Sequence, residues 1–299
     1  MKRYRDIAGD GGSNILQQVA AQRERVDARL SQIGRVVAVL SGKGGVGKST
    51  LTANLAAAWA LQGLAVGVLD ADLNGPSMAT MLGVRRQTFH LTPEGVAPAV
   101  GPLDIRVMSM DGFLPSDGTP VTWDGPSRGT FIWRGTMEMS VLREFVSDTA
   151  WGPLDLLVVD LPPGNERLPH LTDIIPTLAG VVVVTIPTEV SQLVVNKTLT
   201  VAKTTGVPIL GLVENMAGYV CSSCNAVGGL FEGGEVSALA VAHGVPFLGS
   251  TPFDGRIARQ SDGGVPFVIE HGETPAGRAI LAIAESLRSV LGLTSTDSP

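Results

Sequence analysis

The run Gly42-Lys43-Gly44-Gly45-Val46-Gly47-Lys48-Ser49 has the residue types and spacing of a phosphate-binding loop, G-x-x-x-x-G-K-S. Glycines lacking a Cβ let successive backbone N–H groups close round a phosphate chain. Lys48 is expected to reach the β and γ phosphates of a nucleotide, and the Ser49 hydroxyl to ligate Mg2+. Lys43 is a second lysine in the same loop, with no local task that Lys48 does not already perform.

Three further strand ends carry polar side chains suited to the same centre. Val68-Leu69-Asp70-Ala71-Asp72 runs from apolar residues into two aspartates, of which one can orient an attacking water and the other hold the hydration shell of Mg2+. Capping a helix near Ser77 is the competing role. Leu157-Val158-Val159-Asp160, followed by Leu161-Pro162-Pro163-Gly164, has the form of a Walker B element leading into a switch turn. Asn215 in Glu214-Asn215-Met216, closing a strand, and Asp254 after the next one could hydrogen-bond an adenine edge, with turn formation as the alternative.

Cys221-Ser222-Ser223-Cys224 contains the only two cysteines, and C-x-x-C suits either metal ligation or a redox pair. The following Asn225-Ala226-Val227-Gly228-Gly229 is poor helix material, which favours ligation. Structural zinc and Fe–S sites usually take four protein ligands, and the four histidines show no ligand spacing to the pair. If four thiolates are needed, the missing half comes from a second copy.

These residues need elements to position them. Short apolar strands are expected at Arg35 to Leu40, Ala65 to Asp70, Ile105 to Met110, Leu154 to Asp160, Gly180 to Ile186, Pro208 to Val213 and Pro246 to Gly249. Helical patterns fall at Leu51 to Gln62, Met137 to Phe145, Thr188 to Thr205, Val236 to His243 and Thr274 to Leu291. The alternation predicts an α/β fold: a doubly wound, mostly parallel sheet with helices on both faces, binding ligands at the carboxyl ends of its strands. One domain is expected over 35–292, preceded by an amphipathic helical arm at 1–34 and followed by a polar tail at 293–299. Leu16, Val19, Val26, Leu30 and Ile33 give the arm its apolar stripe, best used by packing on the domain edge. Gln87 to Thr136 reads as irregular, with two similar pieces around Trp123 and Trp133.

With 299 residues, 44% of them hydrophobic, the chain can bury a substantial core. A net charge of -6 speaks against nucleic acid as the main partner. Neither a signal peptide nor a membrane span is expected, and a cytoplasmic location follows.

Lys43-Gly44-Gly45-Val46-Gly47-Lys48-Ser49-Thr50 resembles the deviant Walker A of the MinD/ParA/nitrogenase-iron-protein class. Together with Asp70-Ala71-Asp72, Asp160-Leu161-Pro162-Pro163-Gly164, Glu214-Asn215-Met216 and the cysteine pair, it resembles the Mrp/ApbC iron-sulfur carrier ATPases from about Arg35 to Leu291. That resemblance implies a homodimeric ATPase that binds a labile [4Fe-4S] cluster between subunits and passes it to apoproteins. It implies that Lys43 crosses the interface to the partner's nucleotide, that Lys48, Ser49 and Thr50 bind phosphate and Mg2+, and that Asp72 orients the water. Asp160 would be Walker B, Asn215 and Asp254 adenine contacts, and Cys221 and Cys224 the cluster ligands. The chain departs from the family with Asn165-Glu166-Arg167 where Thr-Gly-Asp is usual, Asn225 where Gly is common, and Gly255 where Pro is frequent. A positioning ATPase of MinD or ParA type, or a metal-free or zinc-bearing switch, is the rival. The last helical pattern has small and apolar residues suited to packing, the tail has no basic residue, and the cysteines have no role in a positioning ATPase.

Overall fold

Unbroken buried runs set the centre of the molecule. The computed structural model describes residues 15–293 except 115, 117, 118, 120, 122–129 and 232, with the backbone alone at 15, 16 and 130–134. Strand β2 (Val66–Asp70) is buried throughout, as is β8 (Gly180–Thr185), while β1 (Ile33–Leu40) and β7 (Leu154–Asp160) are buried over their carboxyl-terminal halves. Strands covered on both faces read this way because neither face meets water.

The remaining strands are β3 (His90–Thr92), β4 (Gly95–Ala97), β5 (Ala99–Val100), β6 (Arg106–Met108), β9 (Ile209–Val220), β10 (Val227–Gly228) and β11 (Phe247–Phe253). The main sheet runs β10, β9, β8, β1, β7, β2, β6, β5, and β11 also pairs with β9. Its pairings are parallel except for β5 on β6 and β10 on β9. The helices are α1 (Ile15–Leu30), α2 (Lys48–Leu61), α3 (Met78–Met81), α4 (Thr130–Asp148), α5 (Arg167–Ile174), α6 (Glu189–Thr204), α7 (Val236–His243), α8 (Gly255–Asp262), α9 (Phe267–His271) and α10 (Pro275–Leu291).

Alternation along β1 divides the core into two layers. Val36, Ala38 and Leu40 share one with Val26 and Leu30 of α1, Leu142 of α4 and Leu199 of α6. Val37 and Val39 share the other with Leu51 and Leu55 of α2 and Leu287 of α10. Buried Trp59 of α2 donates its Nε1–H to the Ala284 carbonyl of α10 at 2.9 Å, so the phosphate-loop helix is fixed from behind. β1 lies between β7 and β8, and the loops leaving β1, β2 and β7 gather at one end of the sheet, where doubly wound folds bind ligands.

Several bounds differ from expectation. β1 begins at Ile33, already in register with Leu154, and the arm helix buries Val26 and Leu30 while Val19 stays exposed. α4 begins at Thr130, so the piece around Trp133 is helical, and β3 and β4 form a hairpin in the region read as irregular. Trp123 and residues 294–299 lie outside the described residues. β9 continues past Val213 to Val220 and β11 past Gly249 to Phe253, because the two extend as a pair through Asn215↔Thr251 and Tyr219↔Phe253. Asn215 therefore sits within a strand that leads directly to Cys221. Among the described residues, no helix is long and apolar enough to cross a membrane.

Candidate functional site

The phosphate loop joins β1 to α2. Gly45 and Gly47 take φ of 79° and 78°, a left-handed conformation that other residues rarely adopt, and a Cβ on Gly47 would also strike the Asn215 amide. Lys48 opens α2 and donates from Nζ to Asp160 Oδ2 at 2.6 Å and to Ser49 Oγ at 3.0 Å. The Ser49 hydroxyl donates to the same carboxylate oxygen at 2.7 Å. Thr52, one helical turn on from Lys48, donates to Asp160 Oδ1 at 2.7 Å, a contact the sequence reading missed although its four-residue spacing was visible. Asp160 is fully buried and thus has three side-chain donors. A helix N-terminus, loop N–H groups and adjacent Ser and Asp oxygens fit an anionic phosphate chain with a hard divalent cation. Lys43 lies exposed on the same loop, its carbonyl accepting from Ser41 Oγ at 2.9 Å.

The two aspartates at the end of β2 divide the roles that the residues alone left open. Asp70 is fully buried and accepts from the N–H groups of Ser77 at 2.9 Å and Met78 at 3.0 Å, so it takes the capping role at α3. Burial, then the nearby charge of Asp160, pushes its carboxyl up to about 7. Asp72 is half-buried and accepts from the Gly75 N–H at 3.2 Å; burial pushes its carboxyl above the ordinary range, against the pull of that N–H and of Lys48.

The atypical residues after the Pro-Pro-Gly turn are firmly anchored. Gly164 donates to the Ser41 carbonyl at 2.9 Å, and Asn165 accepts from Thr198 of α6 at 2.6 Å. Arg167 forms an ion pair with Glu138 of α4, which is 4% exposed and also accepts from Asn74 at 2.9 Å. One buried carboxylate thus connects the segment after β2 to the segment after β7.

On the opposite side of the loop, a cleft of about 210 Å³ is lined by residues including Gly47, Thr50, Asn215, Met216, Phe253 and Asp254. Asn215 donates to the Val46 carbonyl at 2.8 Å and accepts from Thr251 at 2.5 Å, so its amide also braces the phosphate loop. Met216 holds φ at 58°, uncommon for a bulky side chain, beside this cleft. Asp254 caps α8; burial raises its carboxyl but paired contacts from Arg256 outweigh it and hold it below the usual range.

Cys221 and Cys224 occupy the tip of the hairpin formed by β9 and β10. Asn225 N–H donates to the Cys221 carbonyl and Cys221 N–H to the Ala226 carbonyl, both at 2.9 Å, closing the loop. Cys224 is exposed and Cys221 half-exposed, and both thiols are free. N–H donors from Ser223 and Cys224 draw the Cys221 thiol below its ordinary value, favouring thiolate. No group of three or more metal-ligating side chains occurs among the described residues.

The ParA profile described as NUBPL iron-transfer P-loop NTPase matches residues 32–288, which spans both the phosphate loop and the cysteine hairpin. The chain belongs to that family. Among its relatives, the iron-sulfur cluster carrier protein of Saccharolobus solfataricus is 40% identical over 93% of this chain and 90% of its own. The cytosolic Fe-S cluster assembly factor NBP35 of Eremothecium gossypii is 40% identical over 89% and 79%. A nucleotide-binding protein from Archaeoglobus fulgidus, solved in complex with ADP and with cobalt present, superposes with a TM-score of 0.68 at 36% identity, over 81% of this chain and 91% of that one. The cell-division ATPase MinD of Pyrococcus furiosus shares the fold, with a TM-score of 0.60 at 22% identity over 86% and 99%.

Proposed function

We propose that this chain binds and hydrolyses ATP with Mg2+ and carries a [4Fe-4S] cluster, shared between two copies of the chain, to apoproteins. The observation that carries the reading is a phosphate loop whose Lys48 and Ser49 meet the buried Asp160, in the same chain as a hairpin tip with two free thiols. Two such tips related by a two-fold axis supply four thiolates.

In this account Lys48 turns from Asp160 to the β and γ phosphates, and the freed carboxylate helps Ser49 and Thr50 hold Mg2+. The metal, when bound, neutralises charge on the phosphate oxygens. Asp72 orients the attacking water, and its raised proton affinity suits a group that receives a proton during attack. Lys43, exposed on the loop, reaches the partner's nucleotide. Asn215 and Asp254 flank the adenine while bracing the loop and α8. The cluster is cargo, released when the two hairpin tips separate.

Anaerobic incubation with iron and sulfide, followed by mixing with an apoprotein, tests this. The wild type is expected to take up and hand over iron, and the Cys221→Ala/Cys224→Ala form to do neither; equal retention by both forms, with no transfer, overturns the carrier role. Mixing Lys43→Ala with Asp72→Ala subunits is expected to give turnover different from the average of the two, and strict averaging contradicts the shared site.

A further inference from the structure

The side chain of Arg256 joins the cysteine loop to the cleft lined by Asn215, Phe253 and Asp254. Arg256 donates from Nε to Asp254 Oδ1 at 2.9 Å and from Nη2 to Asp254 Oδ2 at 2.6 Å. The same Nη2 donates to Asn225 Oδ1 at 3.0 Å, and Asn225 directly follows Cys224. Asp254 is 3% exposed and caps α8, so the guanidinium is held by a fixed, two-pronged partner, the geometry in which Arg–carboxylate pairs are strongest.

Asn225 closes the cysteine loop, its N–H donating to the Cys221 carbonyl. Its φ is 57°, a left-handed conformation that glycine adopts freely and asparagine tolerates. Asparagine therefore preserves the turn that glycine would make and adds an amide oxygen that glycine lacks, and that oxygen is the one Arg256 uses. On the other side of Arg256, Phe253, Asp254, Ile257 and Ala258 all line the nucleotide cleft. A second contact lies lower in the hairpin: the rings of Tyr219 and Phe253 stack with centroids 6.4 Å apart. That contact holds the stem of the hairpin, whereas Arg256 holds the loop.

We infer that Arg256 is a positioning residue that couples occupancy of the nucleotide cleft to the conformation, and so the reactivity, of the Cys221/Cys224 loop within one subunit. This rests on the nucleotide-binding part of the proposed function and not on cluster transfer. A ligand that shifts Phe253 and Asp254 shifts the guanidinium, which pulls on the residue bonded to Cys224. Linkage makes the effect reciprocal, so a ligand on the thiols alters nucleotide affinity by the same factor.

Alkylation of the metal-free full-length chain by iodoacetamide, resolved by cysteine with mass spectrometry, reads the coupling without any cluster. Saturating Mg-ADP is expected to change the Cys224 rate by about fivefold or more, the low end for coupled sites. Arg256→Ala should bring the ratio with and without nucleotide close to unity, and Arg256→Lys should restore part of it. Asn225→Gly keeps the turn and removes only the acceptor, so it should match Arg256→Ala with an unchanged melting temperature. The double variant should go no further than either single one. A wild type whose rate ignores bound nucleotide, or an Asn225→Gly form that keeps the full ratio, overturns the inference. Iron uptake is measured separately, so loss of the carrier role with an intact alkylation ratio leaves the coupling standing.

Discussion

The phosphate end of the molecule and the cysteine hairpin are built on opposite principles. Around Asp160 the polar groups are shared and mostly buried, with Lys48, Ser49 and Thr52 converging on one carboxylate. At the hairpin tip Cys224 is exposed and Cys221 half-exposed, the loop closes on its own backbone, and Arg256 joins it to Asp254. A centre that must hold charges in fixed positions gains from burial, because buried polar networks tolerate no alternative geometry. In the proposed function, a tip that meets another copy and releases cargo gains from having few attachments. The contrast separates stability from function: damage at the first should cost both, and damage at the second function alone.

Lys48→Ala breaks the contrast most severely. It should abolish ATP turnover and, by leaving Asp160 buried without its cation, cost about 3 kcal/mol of stability or more. Phosphate release and urea unfolding check the two effects. Cys221→Ala/Cys224→Ala should abolish iron uptake yet leave the urea midpoint and ATP binding unchanged, and a marked loss of stability would remove the distinction between the two regions. Glu138→Gln weakens the carboxylate joining Arg167 and Asn74 and should cost about 1–3 kcal/mol, with slowed turnover, since a charged hydrogen bond to a buried partner is lost.

Asp70 gives an effect with a defined sign. Its carboxyl keeps its proton to about pH 7 in the folded chain but loses it near 3.8 when unfolded. The folded state therefore binds more protons between these values, and stability from this group is full below about pH 4 and declines as pH rises to 7. Asp70→Asn should flatten that decline in melting temperature measured from pH 4 to 7.

The phosphate end was largely legible in the sequence because its chemistry is local: glycine spacing, a lysine, and Val/Leu runs ending in Asp are all contiguous. The parallel sheet was legible for the same reason, since its strands are buried runs. What escaped notice depends on pairs distant in sequence. The reach of β9 to Val220 is set by β11, the Glu138 bridge joins three separate segments, and the Arg256–Asn225 contact spans 31 positions. The residues alone named Asp70 and Asp72 as a pair, and only the family resemblance singled out Asp72, because burial decides which one caps α3. The residues after Pro162-Pro163-Gly164 looked like a departure from pattern, and their anchorage to α4 and α6 emerged only in three dimensions.

The central claim is that two chains share one cluster across their hairpin tips. Native mass spectrometry of the anaerobically reconstituted protein measures it directly. The account predicts a species of two chains carrying four iron and four sulfide, absent from the Cys221→Ala/Cys224→Ala form. A metal-bearing monomer, or a dimer that keeps the same iron without its cysteines, would contradict it.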